Sequence, residues 1–267
     1  MLTSARRAEI AKMVKEESAV TVAKLLERFD VSAETIRKDL LYLEKNNALV
    51  RVHGGAVQPQ HAQPFREFTL RLDEHRAEKR ALSRLAAKLV AEYDSIAIDA
   101  GTTSIEFAEE LMKRFHSLTV VTYSMDVFER LHAYKNFTVI LCGGTYLEKE
   151  RSFYGAFAHK VLEDIHVRKV FICPSAVSMK KGVYDYEPQI LTLQKLLMEN
   201  SDEVIVLADS SKYEKTALYK VCDVKEQYIF VTDTALPEGV KQLYKENGTK
   251  LITNDDDLAA YSAQLRL

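Results

Sequence analysis

The chain has 267 residues, a length that suggests two domains or one large α/β unit with an appendage. Hydrophobic residues make up 47% of it, enough for a folded core and too many for a disordered chain. With 37 basic and 39 acidic residues, the formal net charge is −2, which excludes a uniformly basic nucleic-acid coat.

The cysteines and the hydropathy pattern indicate a cellular compartment. Cys142, Cys173 and Cys222 are scattered and odd in number, which fits no disulfide framework and indicates a reducing environment. The first residues lead into a charged amphipathic stretch rather than a signal-peptide block. No apolar run approaches the roughly 20 residues that span a bilayer. We therefore expect a cytoplasmic protein without a membrane partner.

Three helices and a hairpin are predicted before the first proline-rich segment. Ser4 is placed to cap a first helix, and a second helix spans about 21–29. Asp30-Val31 forms a tight joint, after which Ser32 caps a third helix. Residues 49–57 then predict two short strands joined by a Gly-Gly turn.

The third helix separates a buried stripe from an exposed face. Ile36, Leu40 and Leu43 recur at helical spacing and predict burial. Helix, helix, tight turn, helix and hairpin is the winged helix-turn-helix plan, in which the third helix enters the major groove of DNA. The residues predicted to contact DNA are Ser32, Glu34, Thr35, Arg37, Lys38, Arg51, His53 and Gly54.

A small helical cap with a solvated charged face is the alternative interpretation of this region. Glu34 and Asp39 lie on the third helix, so its local field is not purely positive. Residues 1–57 as a whole carry ten Lys/Arg against eight Asp/Glu, an excess too mild to establish DNA binding. Spacing alone leaves both interpretations open.

The segment from Gln58 to Pro64 contains two prolines and no periodicity, which predicts a linker. We expect a DNA-binding domain over 1–57, a linker over 58–74 and a second domain over 75–267. In that second domain, apolar runs of strand length alternate with helical stretches, and the runs are 96–98, 118–121, 137–141, 170–173, 204–208 and 228–231. This pattern predicts a doubly wound, mostly parallel sheet flanked by helices.

Asp99-Ala100-Gly101-Thr102-Thr103-Ser104 ends one predicted strand and opens a helix. Glycine permits close backbone approach, hydroxyls donate hydrogen bonds, and free amides at a helix start favour an anion. The segment therefore suits a phosphate, although an ordinary strand-to-helix turn remains possible. It has neither the P-loop lysine nor the GxGxxG pattern, so we expect no nucleotide cofactor.

Other strand ends could converge on the same edge of the sheet. Lys212 would add a cation there, although a lone lysine is more often a solvated surface residue. The predicted effector-binding residues are Asp99, Gly101, Thr102, Thr103, Ser104, Thr122, Tyr123, Ser124, Gly143, Gly144 and Lys212. The seven histidines show no zinc-ligand spacing, so no metal is expected.

Two N-terminal motifs resemble those of a known family. The stretch from Val31 to Leu40 with Leu43-Glu44 closely resembles the recognition helix of the DeoR family of bacterial transcriptional regulators, and Arg51–Ala56 resembles its wing. Further matches in the body bring the resemblance to about residues 5–255, and these are Glu78-Lys79, Asp99-x-Gly101-Thr102-Thr103, Gly143-Gly144, Gly155 and Asp209-Ser210-Ser211-Lys212.

The resemblance implies a winged helix-turn-helix joined to a sensor domain with the fold of sugar-phosphate isomerases and CoA transferases. It further implies a regulator, typically a repressor of a carbohydrate operon, that binds double-stranded operator DNA and a phosphorylated sugar. Because helix-turn-helix proteins gain specificity over two half-sites, we expect a homodimer or homotetramer.

Three segments depart from the family pattern. Tyr123 stands where the family usually has asparagine, Arg168-Lys169 where it commonly has an acid, and Cys173–Ser178 where it tends to read Gly-Ala-Ser/Asp-Gly. Tyrosine is bulkier than asparagine and stacks instead of forming a two-way amide bond. We expect these departures to change the outline of the pocket.

An isomerase needs a positioned general acid or base, and Cys173–Ser178 contains none. Asp185 and Glu187 are the nearest carboxylates, for which effector contact or a surface position is expected. The sequence thus predicts a regulator that is not an enzyme. A sugar-phosphate isomerase fused to a DNA-binding unit and an interaction protein with a vestigial pocket are the alternatives.

Overall fold

A computed structural model describes residues 2–17, 19–52, 54–59 and 67–264. Within these residues the helices are α1 (Thr3–Glu17), α2 (Val22–Phe29), α3 (Ala33–Lys45), α4 (Phe68–Asp73), α5 (Arg76–Ala87), α6 (Thr102–Arg114), α7 (Met125–Leu131), α8 (Ala156–Glu163), α9 (Pro188–Glu199), α10 (Glu238–Glu246) and α11 (Asp255–Gln264). The strands are β1 (Ala19–Thr21), β2 (Val50–Val52), β3 (Gly55–Val57), β4 (Ser95–Ile98), β5 (Thr119–Thr122), β6 (Thr138–Leu141), β7 (Thr145–Leu147), β8 (Ser152–Tyr154), β9 (Val167–Ile172), β10 (Ala176–Ser178), β11 (Gly182–Asp185), β12 (Ser201–Leu207), β13 (Tyr219–Cys222), β14 (Ile229–Val231) and β15 (Lys250–Ile252).

The described residues form two compact units. The N-terminal unit combines the described part of Met1–Phe65 with Ser175–Glu187 and Glu214–Asp223. The sheet unit holds the remaining described residues, from α4 to Pro174, from Pro188 to Tyr213, and from Val224 onward. The N-terminal unit is therefore discontinuous in sequence, since two segments from the second half of the chain belong to it.

Helices α1, α2 and α3 pack around one apolar core. Ile10, Leu25 and Ile36 are fully buried in it, as the helical spacing predicts for the first and third helices. Thr21 and Ser32 cap α2 and α3 by accepting the amides of Lys24 and Thr35. Asp30 ends α2 in the left-handed conformation, with φ of 49°, which makes the joint before α3 tight.

Asp39 joins α1 to α3 through two arginines. Its carboxylate accepts Arg6 Nε at 2.6 Å and Arg7 Nε at 2.7 Å, and Asp39 and Arg6 are both buried. The charge of Asp39 therefore faces the interior and is neutralised there. Its position three residues after the buried Ile36 explains why it lies on the inner side of the helix.

A small sheet in the N-terminal unit has the order β1-β3-β2, with antiparallel pairing throughout. The hairpin of β2 and β3 forms as predicted, whereas β1, which precedes α2, was not predicted. A second antiparallel sheet, of order β10-β11-β13, belongs to the same unit. Its three strands were also missed, because each is only three or four residues long.

The wing, which is the β2–β3 hairpin with its turn, lies against the start of β13. A Cβ placed on Gly55 would meet the Val20 carbonyl oxygen at 2.2 Å and Leu218 at 2.7 Å. One placed on Gly54, where φ is +81°, would meet the Tyr219 hydroxyl at 2.9 Å. Only glycine permits this close approach, which fixes the wing beside Leu218 and Tyr219.

The sheet unit is built on seven parallel strands in the order β15-β14-β12-β9-β4-β5-β6. Its central strands β4, β9 and β12 are apolar on both faces and buried, which is what continuous apolar runs predict for a sheet covered by helices. This confirms the predicted α/β class with a mostly parallel sheet. No helix among the described residues is long and apolar enough to cross a membrane.

Two details correct or explain sequence predictions. The single helix expected near 74–92 is shorter, spanning Arg76–Ala87, and α4 precedes it. Arg168 and Lys169 pair with the buried Asp94, with Lys169 Nζ 3.0 Å from its Oδ2. Because these residues lie at the start of β9, that departure from the family pattern neutralises a buried charge at the amino end of the strand.

Candidate functional site

The face of α3 opposite its core presents side chains of the kind that read DNA. Arg37, Lys38 and Glu34 are exposed, and Lys38 makes only a loose 3.7 Å contact with Glu34. Within the described chain, Arg37 forms no ion pair. Ser32, also exposed, accepts the Thr35 amide and shares a hydrogen bond with its hydroxyl. Thus α3 begins with a fixed cap and carries unconstrained cations.

Arg51, on β2, is held by Glu44 of α3. Its Nε lies 2.7 Å from Glu44 Oε2, and its backbone amide donates to Oε1 at 2.9 Å. Partial burial acts to raise the pKa of Glu44, but the hydrogen bonds and charge of Arg51 outweigh it and lower the pKa. Gly54 is exposed at the turn, and His53 lies outside the described residues.

In the sheet unit, strands are added in opposite directions on the two sides of β4. The chain proceeds from β4 to β5 and β6 on one side, and β9, β12, β14 and β15 lie on the other. The carboxyl ends of β4 and β9 therefore form the topological switch point, where open α/β sheets bind ligands. Gly101 follows β4 there and is the N-cap of α6.

The start of α6 has uncommitted hydrogen-bonding groups. Gly101 has φ of +134°, and no side chain caps the helix. The hydroxyls of Thr102 and Thr103 form no hydrogen bond with any residue in the described part of the chain. Unsatisfied amides at a helix start form a natural anion site. Ser104, in contrast, donates to Cys173 Sγ at 3.1 Å.

Asp99 and Tyr123 form a buried network beneath this edge. Both are fully buried, and the Tyr123 hydroxyl donates to Asp99. Asp99 also accepts from the amide of Cys173 at 2.9 Å and from Gln194 Nε2 at 3.0 Å. Tyr123 therefore packs inward and ties the end of β5 to that of β4, so its ring is not presented as a stacking surface.

Thr122 and Ser124 make structural hydrogen bonds as well. Thr122 Oγ1 donates to the Ile98 carbonyl at 2.8 Å, and Ser124 Oγ accepts the Val127 amide and so caps α7. Gly143 and Gly144 follow the edge strand β6. A Cβ on Gly144 would meet the Tyr154 carbonyl oxygen at 2.4 Å, so this glycine permits the β7–β8 hairpin to approach closely.

A lysine–aspartate pair of the sheet unit was missed as a site. Lys79, on α5, is buried, and its Nζ donates to the Arg71 carbonyl. Burial lowers the pKa of Lys79 to about 8, and the nearby charges of Asp209 and Lys212 raise and lower it respectively. Asp209 is also buried, and its Oδ2 has no hydrogen-bond partner among the described residues. The only signal in the sequence was the family motif Glu78-Lys79, to which no role was assigned.

The carboxylates that follow Cys173–Ser178 are not on the surface. Asp185 is buried and accepts the Ser175 hydroxyl at 2.7 Å, and Glu187 is buried too. Burial raises the pKa of the Cys142 thiol to about 12, in keeping with its predicted role as a small buried side chain. No cluster of metal-ligating side chains is found among the described residues.

Comparisons with known proteins assign the chain to a family. The model of the DeoR C terminal sensor domain matches residues 74–234, and that of the DeoR-like helix-turn-helix domain matches residues 6–62. The uncharacterized HTH-type transcriptional regulator YulB of Bacillus subtilis is 36% identical, with 91% of this chain and 94% of YulB covered. The transcriptional repressor AccR of Agrobacterium fabrum is 30% identical, with 87% and 90% covered. The L-fucose operon activator of Haemophilus influenzae is 31% identical, with 89% and 95% covered.

Among solved structures, ribose 5-phosphate isomerase A of Methanocaldococcus jannaschii matches 52% of this chain and 55% of its own, at 18% identity and a TM-score of 0.40. A likeness this distant implies nothing about the chemistry of the site. The two family models together span both regions in which the sequence motifs lie. The chain belongs to the DeoR family and is a DNA-binding transcriptional regulator, not an enzyme.

Proposed function

We propose that this regulator represses a carbohydrate-metabolism operon and that a phosphorylated sugar controls its affinity for operator DNA. The exposed cations of α3 favour direct DNA contact, with Arg37 facing base edges or phosphates. Repression is favoured over activation because AccR is a named repressor, although the L-fucose operon activator shows that a relative can act in the opposite sense. The proposed DNA contacts remain those predicted from the sequence, with Arg51 shared between Glu44 and DNA.

The single observation that carries the sugar-phosphate proposal is the uncapped start of α6 at the switch point of the sheet. Its amides and the Thr102 and Thr103 hydroxyls would bind the phosphate, with Lys212 adding a positive charge. Lys79 would contribute another cation, since an anion offsets the cost of burying its charge. Asp209 Oδ2 is a buried acceptor suited to a sugar hydroxyl.

The chain offers a direct route from this site to the wing. Cys173 and Lys212 are each followed, two residues later, by a segment of the N-terminal unit, which begins at Ser175 and Glu214 respectively. Those segments form β10, β11 and β13, and the residues at the start of β13 contact the wing. An effector that prefers one position of these segments would alter wing placement and hence DNA affinity.

The test measures DNA affinity with and without candidate effectors. Binding sites are first selected from a random pool of DNA duplexes, and the dissociation constant of the best site is measured by fluorescence anisotropy. Ribose 5-phosphate, glucose 6-phosphate, fructose 1-phosphate and N-acetylglucosamine 6-phosphate are compared with the same sugars lacking phosphate. We expect one phosphorylated sugar to change the Kd by about fivefold or more. Absence of any phosphate-dependent change across an extended panel would refute the effector proposal.

A further inference from the structure

Helix α8 exposes an apolar stripe that the DNA and effector sites do not use. Phe157 is 81% exposed and Val161, one turn later, is 37% exposed. The opposite face of α8 is anchored by the buried Ala158 and Leu162. A phenylalanine exposed to this degree on a well-packed helix is typical of an interaction surface.

An open cleft of about 540 Å³ lies next to this stripe. It borders the neighbouring face of α8 at Ala156, His159 and Glu163, and its far wall includes Pro188 and Thr192 at the start of α9. A protruding aromatic side chain and a cleft able to receive one therefore occupy the same surface. That combination is what an isologous interface requires, because each copy supplies both parts.

The charges of α8 are self-complementary. His159 and Lys160 lie in its first half, whereas Glu163 and Asp164 end it. Within one copy Lys160 is already 3.3 Å from Glu163 and 3.5 Å from Asp164, at the exposed surface. Two α8 helices packed antiparallel would place the basic half of each beside the acidic half of the other. Their macrodipoles would also oppose one another favourably.

We propose that α8 and the adjacent cleft form a homodimer interface, in which Phe157 of each copy packs into the cleft of the other. This proposal rests on the proposed function, because a helix-turn-helix regulator that reads two half-sites needs a second copy of itself. The self-complementary charges select a second copy over an unrelated protein. Phe157 then supplies the central aromatic contact on which such interfaces depend.

The test compares Phe157→Glu with a matched control, Tyr93→Glu, in the full-length protein. Tyr93 is 77% exposed, so both changes add a charge at an exposed aromatic position. Sedimentation velocity at micromolar concentrations measures mass, and thermal denaturation confirms folding. We expect Phe157→Glu to raise the dimer Kd at least about tenfold, and Tyr93→Glu to leave it unchanged.

A charge-reversal series tests the pairing itself. Lys160→Glu should weaken association, and adding Glu163→Lys and Asp164→Lys should restore it, since the helix is then self-complementary again with reversed polarity. An oligomeric Phe157→Glu variant would overturn the interface while leaving the oligomer proposal intact, and would assign the surface to a different macromolecule. A wild-type protein that stays monomeric on its selected DNA site would overturn both. Effector-induced stabilisation by the active sugar phosphate, which α8 does not contact in this proposal, should survive in Phe157→Glu.

Discussion

Two buried aspartates show how differently the two units use a carboxylate. Asp39, in the helix-turn-helix, accepts a hydrogen bond on each oxygen from an arginine, so its bonding capacity toward α1 is filled. Asp209, at the carboxyl edge of the parallel sheet, directs Oδ1 to Ser211 and leaves Oδ2 without a partner among the described residues. Burial alone therefore does not identify a functional acid, and the unfilled acceptor is the more informative observation.

The sharpest way to break this comparison is to remove Asp39. Asp39→Ala leaves Arg6 buried without its partner, and breaking such a buried pair costs about 3–5 kcal/mol. We expect thermal and urea denaturation to show that loss for the N-terminal unit, together with loss of DNA binding. Glu34→Ala, on the exposed side of the same helix, should change stability by less than about 0.5 kcal/mol. Equal effects of the two substitutions would contradict a structural role for Asp39.

The second prediction separates DNA reading from effector binding. Arg37→Ala should weaken binding to the selected DNA site by about 1–3 kcal/mol and leave the thermal stabilisation by the active sugar phosphate intact. Lys212→Ala should do the reverse. Anisotropy and thermal-shift measurements on both variants check this, with Lys12→Ala as a control at an exposed lysine of α1. Loss of both activities in either folded variant would refute the division.

The third prediction uses the titration of Lys79, whose pKa is lowered from 10.5 to about 8, chiefly by burial. Effector affinity should fall as pH rises through about 8, because neutral Lys79 no longer attracts the phosphate. In the effector-free protein the sign is opposite. Between about pH 8 and 10.5 the unfolded chain binds more of the Lys79 proton, so this residue's contribution to stability rises with pH.

Calorimetric titration of the active sugar phosphate from pH 7 to 9.5 measures the first effect, and urea denaturation measures the second. The charges that act on Lys79 are those of Asp209, Lys212, Arg71 and Glu74. Lys79→Met should abolish both pH dependences and weaken effector binding. A Lys79→Met variant with an unchanged affinity profile would remove Lys79 from the site.

The smallest expected effect is on the salt dependence of DNA binding. Lys38 is exposed and only loosely paired with Glu34, which fits a phosphate contact. Lys38→Ala should weaken binding to all DNA sequences alike and reduce the slope of log K against log salt by about one. Measurements between 50 and 200 mM salt on selected and unselected duplexes test this. A change in sequence preference instead would assign Lys38 to base contact.

Sequence patterns sufficed where a single periodicity dominates. The stripe of Ile36, Leu40 and Leu43 and the apolar runs of the parallel sheet are buried as predicted. The strands of the small antiparallel sheets were missed because pairing partners far apart in the chain stabilise strands too short to show a pattern. For example, β11 at Gly182–Asp185 pairs with β13 at Tyr219–Cys222.

For the candidate site, the sequence located the strand end at Asp99–Ser104 but could not distinguish its members. Asp99 and Tyr123 bind each other beneath the edge, whereas Thr102 and Thr103 stay uncommitted. Lys79 and Asp209 act on each other from positions 130 residues apart, and nothing local reports their proximity. Whether these residues bind an effector stays a prediction.

The contact of the wing with Leu218 and Tyr219 has a consequence for engineering and for descent by recombination. A DNA-reading module assembled from three separate stretches of the gene cannot be exchanged at one junction. A chimera joined near residue 65 would set a foreign wing against side chains selected for Gly54 and Gly55. Transplanting residues 175–187 and 214–223 along with the first 65 residues would keep donor wing and donor support together.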